Sequence, residues 1–185
     1  LSKRLEGILR IGVTGPGEQY FLPQIISNFQ EKYPNVELNI KQDSLVGLIE
    51  KLKNNVLDVI FTFAYDNELV DELDRITVLR DEVGLVVSKH HRLAEFDQIE
   101  ALEVANEKII MISKEFGPKN YEHMVECCRK DGYDPNIVAT ADSLDVLMLM
   151  VAANKGVAFL PKRNIDTFNN TVHFVKINGT HHSNE

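Results

Sequence analysis

The chain carries two hydrophobic rhythms, one of strands and one of helices. Residues 8–13, "ILRIGV", are a short apolar run closed by Thr14, which predicts a buried strand. From Glu18 the period lengthens to that of a helix. Leu22, Ile25, Ile26, Phe29 and Tyr33 form one stripe, with Pro23 in its first turn and Pro34 at its end. Residues 35–42, "NVELNIKQ", alternate apolar and polar positions, as a strand with one more exposed face does. Ser44 is placed to cap a helix carrying Leu45, Leu48, Ile49 and Leu52, which stops at Asn54 and Asn55. "VLDVIFTF", residues 56–63, reads as a strand buried on both faces of a parallel sheet. This β-α-β-α-β order predicts an α/β fold with right-handed crossovers.

After Asp66 the pattern changes. "ELVDELDR" is an acidic connection, followed by two strands, "ITVL" at 76–79 and "VGLVVS" at 83–88. Residues 89–104 read as a loop with a short helix, and "KIIMIS" as another strand. A helix over 119–131 places Tyr121, Met124, Val125 and Cys128 on one face and ends at Gly132. "NIVATA" is a strand. Asp142 or Ser143 then caps a helix bearing Leu144, Leu147, Met148 and Val151, which stops at Asn154. "GVAFLP" and residues 171–177 are the last two strands. No internal repeat or Ser/Gly linker divides the chain, so two lobes would be joined by strands.

Composition narrows the function. With 185 residues and a net charge of -8, the chain has no basic cluster of the kind that grips phosphates, so these residues make no nucleic-acid surface. No apolar run approaches the roughly 20 residues of a bilayer span, and "LSKRLEGILRIGV" is a poor signal peptide that looks like the end of a linker. The two cysteines, Cys127 and Cys128, are adjacent, which excludes a disulfide framework and favours a reducing cytoplasm.

Candidate chemistry centres on "GVTGPGEQYFLP", residues 12–23. Gly15 and Gly17 match two positions of a dinucleotide-binding loop, but the third falls on Tyr20, and no Lys-Ser/Thr pair follows as in a nucleotide triphosphate loop. Glu18 opposes a phosphate at the helix start. The remaining readings are a tight turn without a ligand, or backbone N–H groups and the Thr14 hydroxyl holding a small carboxylate or polar ligand. The histidine pairs His90/His91 and His181/His182 lack the spacing of a metal site and read, with His123 and His173, as solvated or capping residues. There is no Gly-x-Ser-x-Gly elbow, no converging carboxylate pair and no calcium loop. The expectation is a non-enzymatic protein with no metal and no cofactor.

The order of these segments resembles a known family. "EGILRIGVT…LPQIISNFQEKYPNVELNIKQDS…LKNNVLDVIFTF", then "VVSKHHRLA" and "VAANKGVAFLP", resemble the C-terminal effector-binding (substrate-binding) domain of LysR-type transcriptional regulators over nearly the whole chain. The departures are Asn55, Asn154 and Asp43 at positions usually held by Gly, and Arg92 at one usually held by Pro. Against that resemblance, the expectation is that the family's last helix is cut short after "INGTHHSNE".

The resemblance implies an α/β, periplasmic-binding-protein-like (type II) fold with two α/β lobes joined by two crossing strands. Lobe I would take residues 1–79 plus 164–185 and lobe II residues 80–163. The N-terminal winged helix-turn-helix DNA-binding domain of such regulators is absent from these residues. A small polar or anionic metabolite effector would sit in the cleft between the lobes, at the carboxyl ends of the strands. The implied contacts are Thr14, Gly15, Pro16, Gly17, Glu18, Ser44, Phe63, Ala64, Ser113 and Asp142. For Thr14, Ser44 and Asp142, helix capping alone is the competing reading. Glu18 and Asp142 leave the charge preference open and suit a ligand with an amine as well as a carboxylate. The expected partners are the effector, DNA only through the absent domain, and a second copy of the chain. Self-association would give a homodimer, and a tetramer at full length, with the helices at 19–32 and 119–131 as its interface. The expected location is the cytoplasm, without membrane contact. The runner-up is a free-standing solute-binding protein of the same fold serving a transporter.

Overall fold

The structure, a computed structural model, describes residues 5–15, 18, 20–62, 73–168 and 170–182. The chain divides into two compact units, Leu1–Thr62 and Phe63–Glu185.

In the first unit, β1 (Gly7–Val13), α1 (Leu22–Lys32), β2 (Val36–Gln42), α2 (Leu45–Lys53) and β3 (Val59–Ile60) follow in order. Their strands make a parallel sheet, β2-β1-β3, with Ile11 opposite both Ile40 and Val59. Its core is small: Ile11, Leu22, Leu45, Leu48, Ile49 and Leu57 are buried. Gly12 lets α2 and β3 close on β1, since a Cβ there would stand 2.7 Å from both Leu48 Cδ2 and Leu57 Cδ1. Asn55 adopts the left-handed conformation (φ 56°), as expected of a helix stop.

Three expectations are corrected in this unit. The strand at 56–63 shrinks to Val59–Ile60, because the Val56 and Leu57 N–H groups turn back to the Lys51 carbonyl (2.8 and 3.1 Å) to close α2. Val56 and Val59 are exposed, so this strand is not buried on both faces. It is tied to β1 by the Arg10 guanidinium, which donates to both Asp58 oxygens (2.9 and 2.6 Å) and holds that carboxyl down to about 2. Helix α1 begins at Leu22 and not at Glu18, and only Leu22 of its stripe is buried.

The second unit contains β4 (Val83–Ser88), β5 (Gln98–Glu100), β6 (Ile109–Ile112), α3 (Pro118–Lys130), β7 (Ile137–Ala141), α4 (Leu144–Ala152), β8 (Ala158–Pro161) and β9 (Val172–Asn178). A mixed sheet runs β5-β9-β4-β8, and β6 pairs in parallel with β7. All six residues of β4 are buried. Leu85 and Val87 pack into one core with Met124, Cys128 and Val175, and Val86 into another with Ile110, Leu147 and Met148. Strand β9 lies against β4 and β5, so residues 172–178 belong to the second unit, although the sequence grouped 164–185 with 1–79. Residues 76–79 form no strand, and Ile76 is almost fully exposed. Strand β5 replaces part of the loop expected at 89–104, because Ile99 is buried beside Ile177.

The reading of the last histidines as solvated fails for His182. Asp131, one residue past α3, accepts from the Thr180 hydroxyl (2.8 Å) and the His181 N–H (2.8 Å), which draws the tail onto the helix. His182 is then buried, stacked on Phe159 at 3.9 Å, with its ring nitrogens near Cys128 Sγ (3.6 Å) and Met124 Sδ (3.3 Å). Both neighbouring cysteines are buried free thiols, pushed up to about 11 by desolvation.

Burial also holds the His182 imidazole down to about 4 from 6.5, opposed by Asp131 and assisted by His123 and His181. The fold therefore favours neutral His182, and its contribution is complete above the unfolded value. It is lost as pH falls from about 6.5 through about 4, by on the order of 2–3 kcal/mol. Urea titrations across that window should show this loss in the wild type. In His182→Phe, which keeps the ring stack, that component should be missing.

Candidate functional site

Parallel strands end in polar loops, and each backbone donor there needs a partner. In the first unit these partners come from the chain itself. Thr14 and Gly15 follow β1, and the Glu18 side chain turns back over them. Its Oε1 accepts from the Thr14 N–H (3.0 Å) and the Thr14 hydroxyl (2.6 Å), and its Oε2 accepts from the Gly15 N–H (3.1 Å). Glu18 is 5% exposed. The sequence reading left these N–H groups open to an effector. The structure shows them occupied by an internal carboxylate.

The next loop repeats the device. Asp43 accepts from the Ser44 N–H (2.7 Å) and is ion-paired with Lys51, one face along α2. The Lys51 hydrogen bond, then the Ser44 amide, hold the Asp43 carboxyl below its ordinary value. Ser44 is the N-cap of α2 as predicted, its hydroxyl accepting from the Gly47 N–H at 3.2 Å. Gln42 links the two loops by donating to the Thr14 carbonyl (3.3 Å). Thr14, Gly15, Glu18 and Ser44 thus gather at the carboxyl edge of one sheet. Pro16, Gly17, Phe63 and Ala64 lie outside the described residues.

In the second unit, Ser113 and Asp142 follow the paired strands β6 and β7, and the Ser113 N–H donates to the Ala141 carbonyl at 2.9 Å. The Ser113 hydroxyl is buried without a hydrogen-bond partner among the described residues. Asp142 is exposed, and the cap of α4 is Ser143, whose hydroxyl accepts from the Val146 N–H at 3.3 Å. Capping alone is therefore not the role of Asp142.

Among the described residues no group of His, Cys, Asp and Glu is arranged to hold a metal, and no helix is long and apolar enough to cross a membrane. Of the histidines, His91 is a cap, its Nδ1 accepting from the Leu93 N–H (3.2 Å). Beside it Arg92 pairs with the buried Glu107, a use for a cation where the family usually has Pro. Sequence reasoning missed the inward turn of Glu18. An acidic residue three to four positions beyond a strand-end Thr-Gly was the available signal.

The α/β architecture, mixed sheets with helices, is that of the periplasmic-binding-protein-like type II fold. The LysR substrate binding domain family matches residues 2–180, and the chain belongs to that family. A relative, the uncharacterized HTH-type transcriptional regulator YwbI of Bacillus subtilis (strain 168), is 30% identical over 85% of this chain and 51% of its own length. The HTH-type transcriptional regulator AlsR of the same strain is 26% identical over 93% of this chain and 56% of its own. The chain thus spans about half the length of the curated relatives it matches, which are HTH-type transcriptional regulators. Among solved structures, the effector binding domain of QuiR in complex with shikimate superposes with a TM-score of 0.80 at 19% identity. The match covers 97% of this chain and 84% of that one. The BenM effector binding domain with its effector benzoate gives 0.76, also at 19% identity, over 97% and 81%.

Two serines should behave oppositely. Ser44→Ala removes a cap and should lower stability by about 1 kcal/mol. Ser113→Ala deletes a buried, unpaired hydroxyl and should raise it by about 1 kcal/mol. Chemical denaturation of the two variants checks both signs.

Proposed function

We propose that this chain is the small-molecule sensing part of a LysR-type DNA-binding regulator, whose conformation and self-association respond to the ligand. The observation that carries this reading is the match to the substrate-binding domain over residues 2–180. Effector contacts are assigned to the strand-end loops, at Thr14, Gly15, Glu18 and Ser44 in the first unit and at Ser113 and Asp142 in the second. The buried, unpaired Ser113 hydroxyl supports the assignment: a group that costs stability without a partner is what a binding site keeps for a ligand. Shikimate and benzoate, bound by the two structural neighbours, are small and polar or anionic, and set the size of effector to test. DNA contact and the larger assembly are assigned to the remainder of the regulator. These residues carry a net charge of -8, which suits them to ligand and protein contacts and not to a phosphate backbone.

A thermal-shift screen against metabolites, with shikimate and benzoate included, tests the proposal. One compound should raise Tm by roughly 5–10 °C at a hundredfold excess over its Kd. The Thr14→Ala, Ser44→Ala double variant should lose most of that shift. A stabilising compound whose effect survives both substitutions would sink the assignment of these loops.

A further inference from the structure

Two independent loops of the first unit show the same arrangement. Four backbone N–H groups at its strand ends and in the first turn of α2, those of Thr14, Gly15, Ser44 and Gly47, are each taken by an oxygen of the chain's own side chains. Two of the three side chains that take them are carboxylates. Asp43 is neutralised by Lys51, whereas among the described residues Glu18 has hydrogen-bond donors around it and no cation. Among the described residues, the Glu18 carboxylate is therefore the charge at this edge without a cationic partner. A carboxylate offers about four lone-pair positions. The hydrogen bonds to Glu18 fill three, two on Oε1 and one on Oε2, so one position of Oε2 has no donor among the described residues.

An incoming carboxylate would find its donors already engaged and a like charge within a few ångströms. To bind through Thr14 and Gly15 it would first have to expel Glu18, which is buried and held by three hydrogen bonds. An ammonium group meets the opposite situation: an oriented, partly desolvated carboxylate with an acceptor position to spare. We infer that Glu18 is a resident anion which sets specificity, so that the first unit takes the cationic, hydrogen-bond-donating end of the effector and rejects carboxylates. The inference rests on the sensing reading and names the ligand class for one part of it, an amine-bearing metabolite.

Titration of the 15N-labelled chain with methylammonium and with acetate, at matched concentration and ionic strength, tests this without knowledge of the effector. The readout is the amide resonances of Thr14, Gly15 and Ser44. Methylammonium should shift the Thr14 and Gly15 amides saturably, and acetate should leave them in place. Glu18→Gln removes the charge and keeps an acceptor. It should weaken methylammonium by about tenfold or more. The wild-type comparison stands even where that variant folds poorly. Saturable acetate shifts at these amides, with or without a methylammonium response, overturn the inference, and so does a loop that answers neither ion. The sensing reading is judged separately by the metabolite screen: a stabilising plain carboxylate whose effect needs Thr14 and Ser44 would keep sensing and discard the role of Glu18.

Discussion

The second unit depends on burying β4 on both faces. Successive side chains of a strand point to opposite sides, so six buried residues in a row demand two separate apolar layers. Those layers are the two cores, one built with α3 and one with α4. The strand also orders its neighbours, with β8 on one side and β9 on the other. At its end Ser88 is fully buried, and its hydroxyl is satisfied by the Ala152 carbonyl at 3.3 Å, which fastens the end of α4. Gly84 lets β9 close in, because a Cβ there would stand 2.4 Å from the Phe174 ring and 2.7 Å from the Val175 carbonyl.

The same need to satisfy polar groups shapes the strand ends. In the first unit it is met internally, by Glu18, Asp43 and Ser44. Ser113 in the second unit is the exception, with its hydroxyl buried and unpaired. Donors satisfied by side-chain carboxylates leave acceptor oxygens at these strand ends. An unpaired hydroxyl is an open demand for a partner. This uneven satisfaction falls on loops that the site proposal uses, and it bears on charge. The family resemblance allowed an anionic effector at the Thr14 loop, where the structure places the Glu18 carboxylate on the Thr14 and Gly15 N–H groups.

Much of the architecture was legible in sequence because it rests on local periodicity and capping. The strands β4, β6, β7 and β9, the helices α2, α3 and α4, the caps at Ser44 and Ser143, and the left-handed stops at Asn55 and Asn154 follow from short-range pattern. Failures came where one local signal had two uses. Apolar residues 56–57 close a helix instead of extending a strand, and the apolar run at 76–79 has no strand to pair with among the described residues. Polar-looking residues 98–100 form a strand because a single residue, Ile99, finds a core.

By itself the sequence determined the α/β class, the family, and the caps at Ser44 and Ser143. Each of these is written in residues close together along the chain. Only the tertiary structure decided where side chains turn. Glu18 folds back onto Thr14 and Gly15, and His182 crosses from the tail to Phe159 and Cys128. A carboxylate or imidazole can stand in water, or in a pocket whose partners offset its lost hydration. Which of the two it meets depends on donors and rings that folding brings together, and residue order alone does not hold that information.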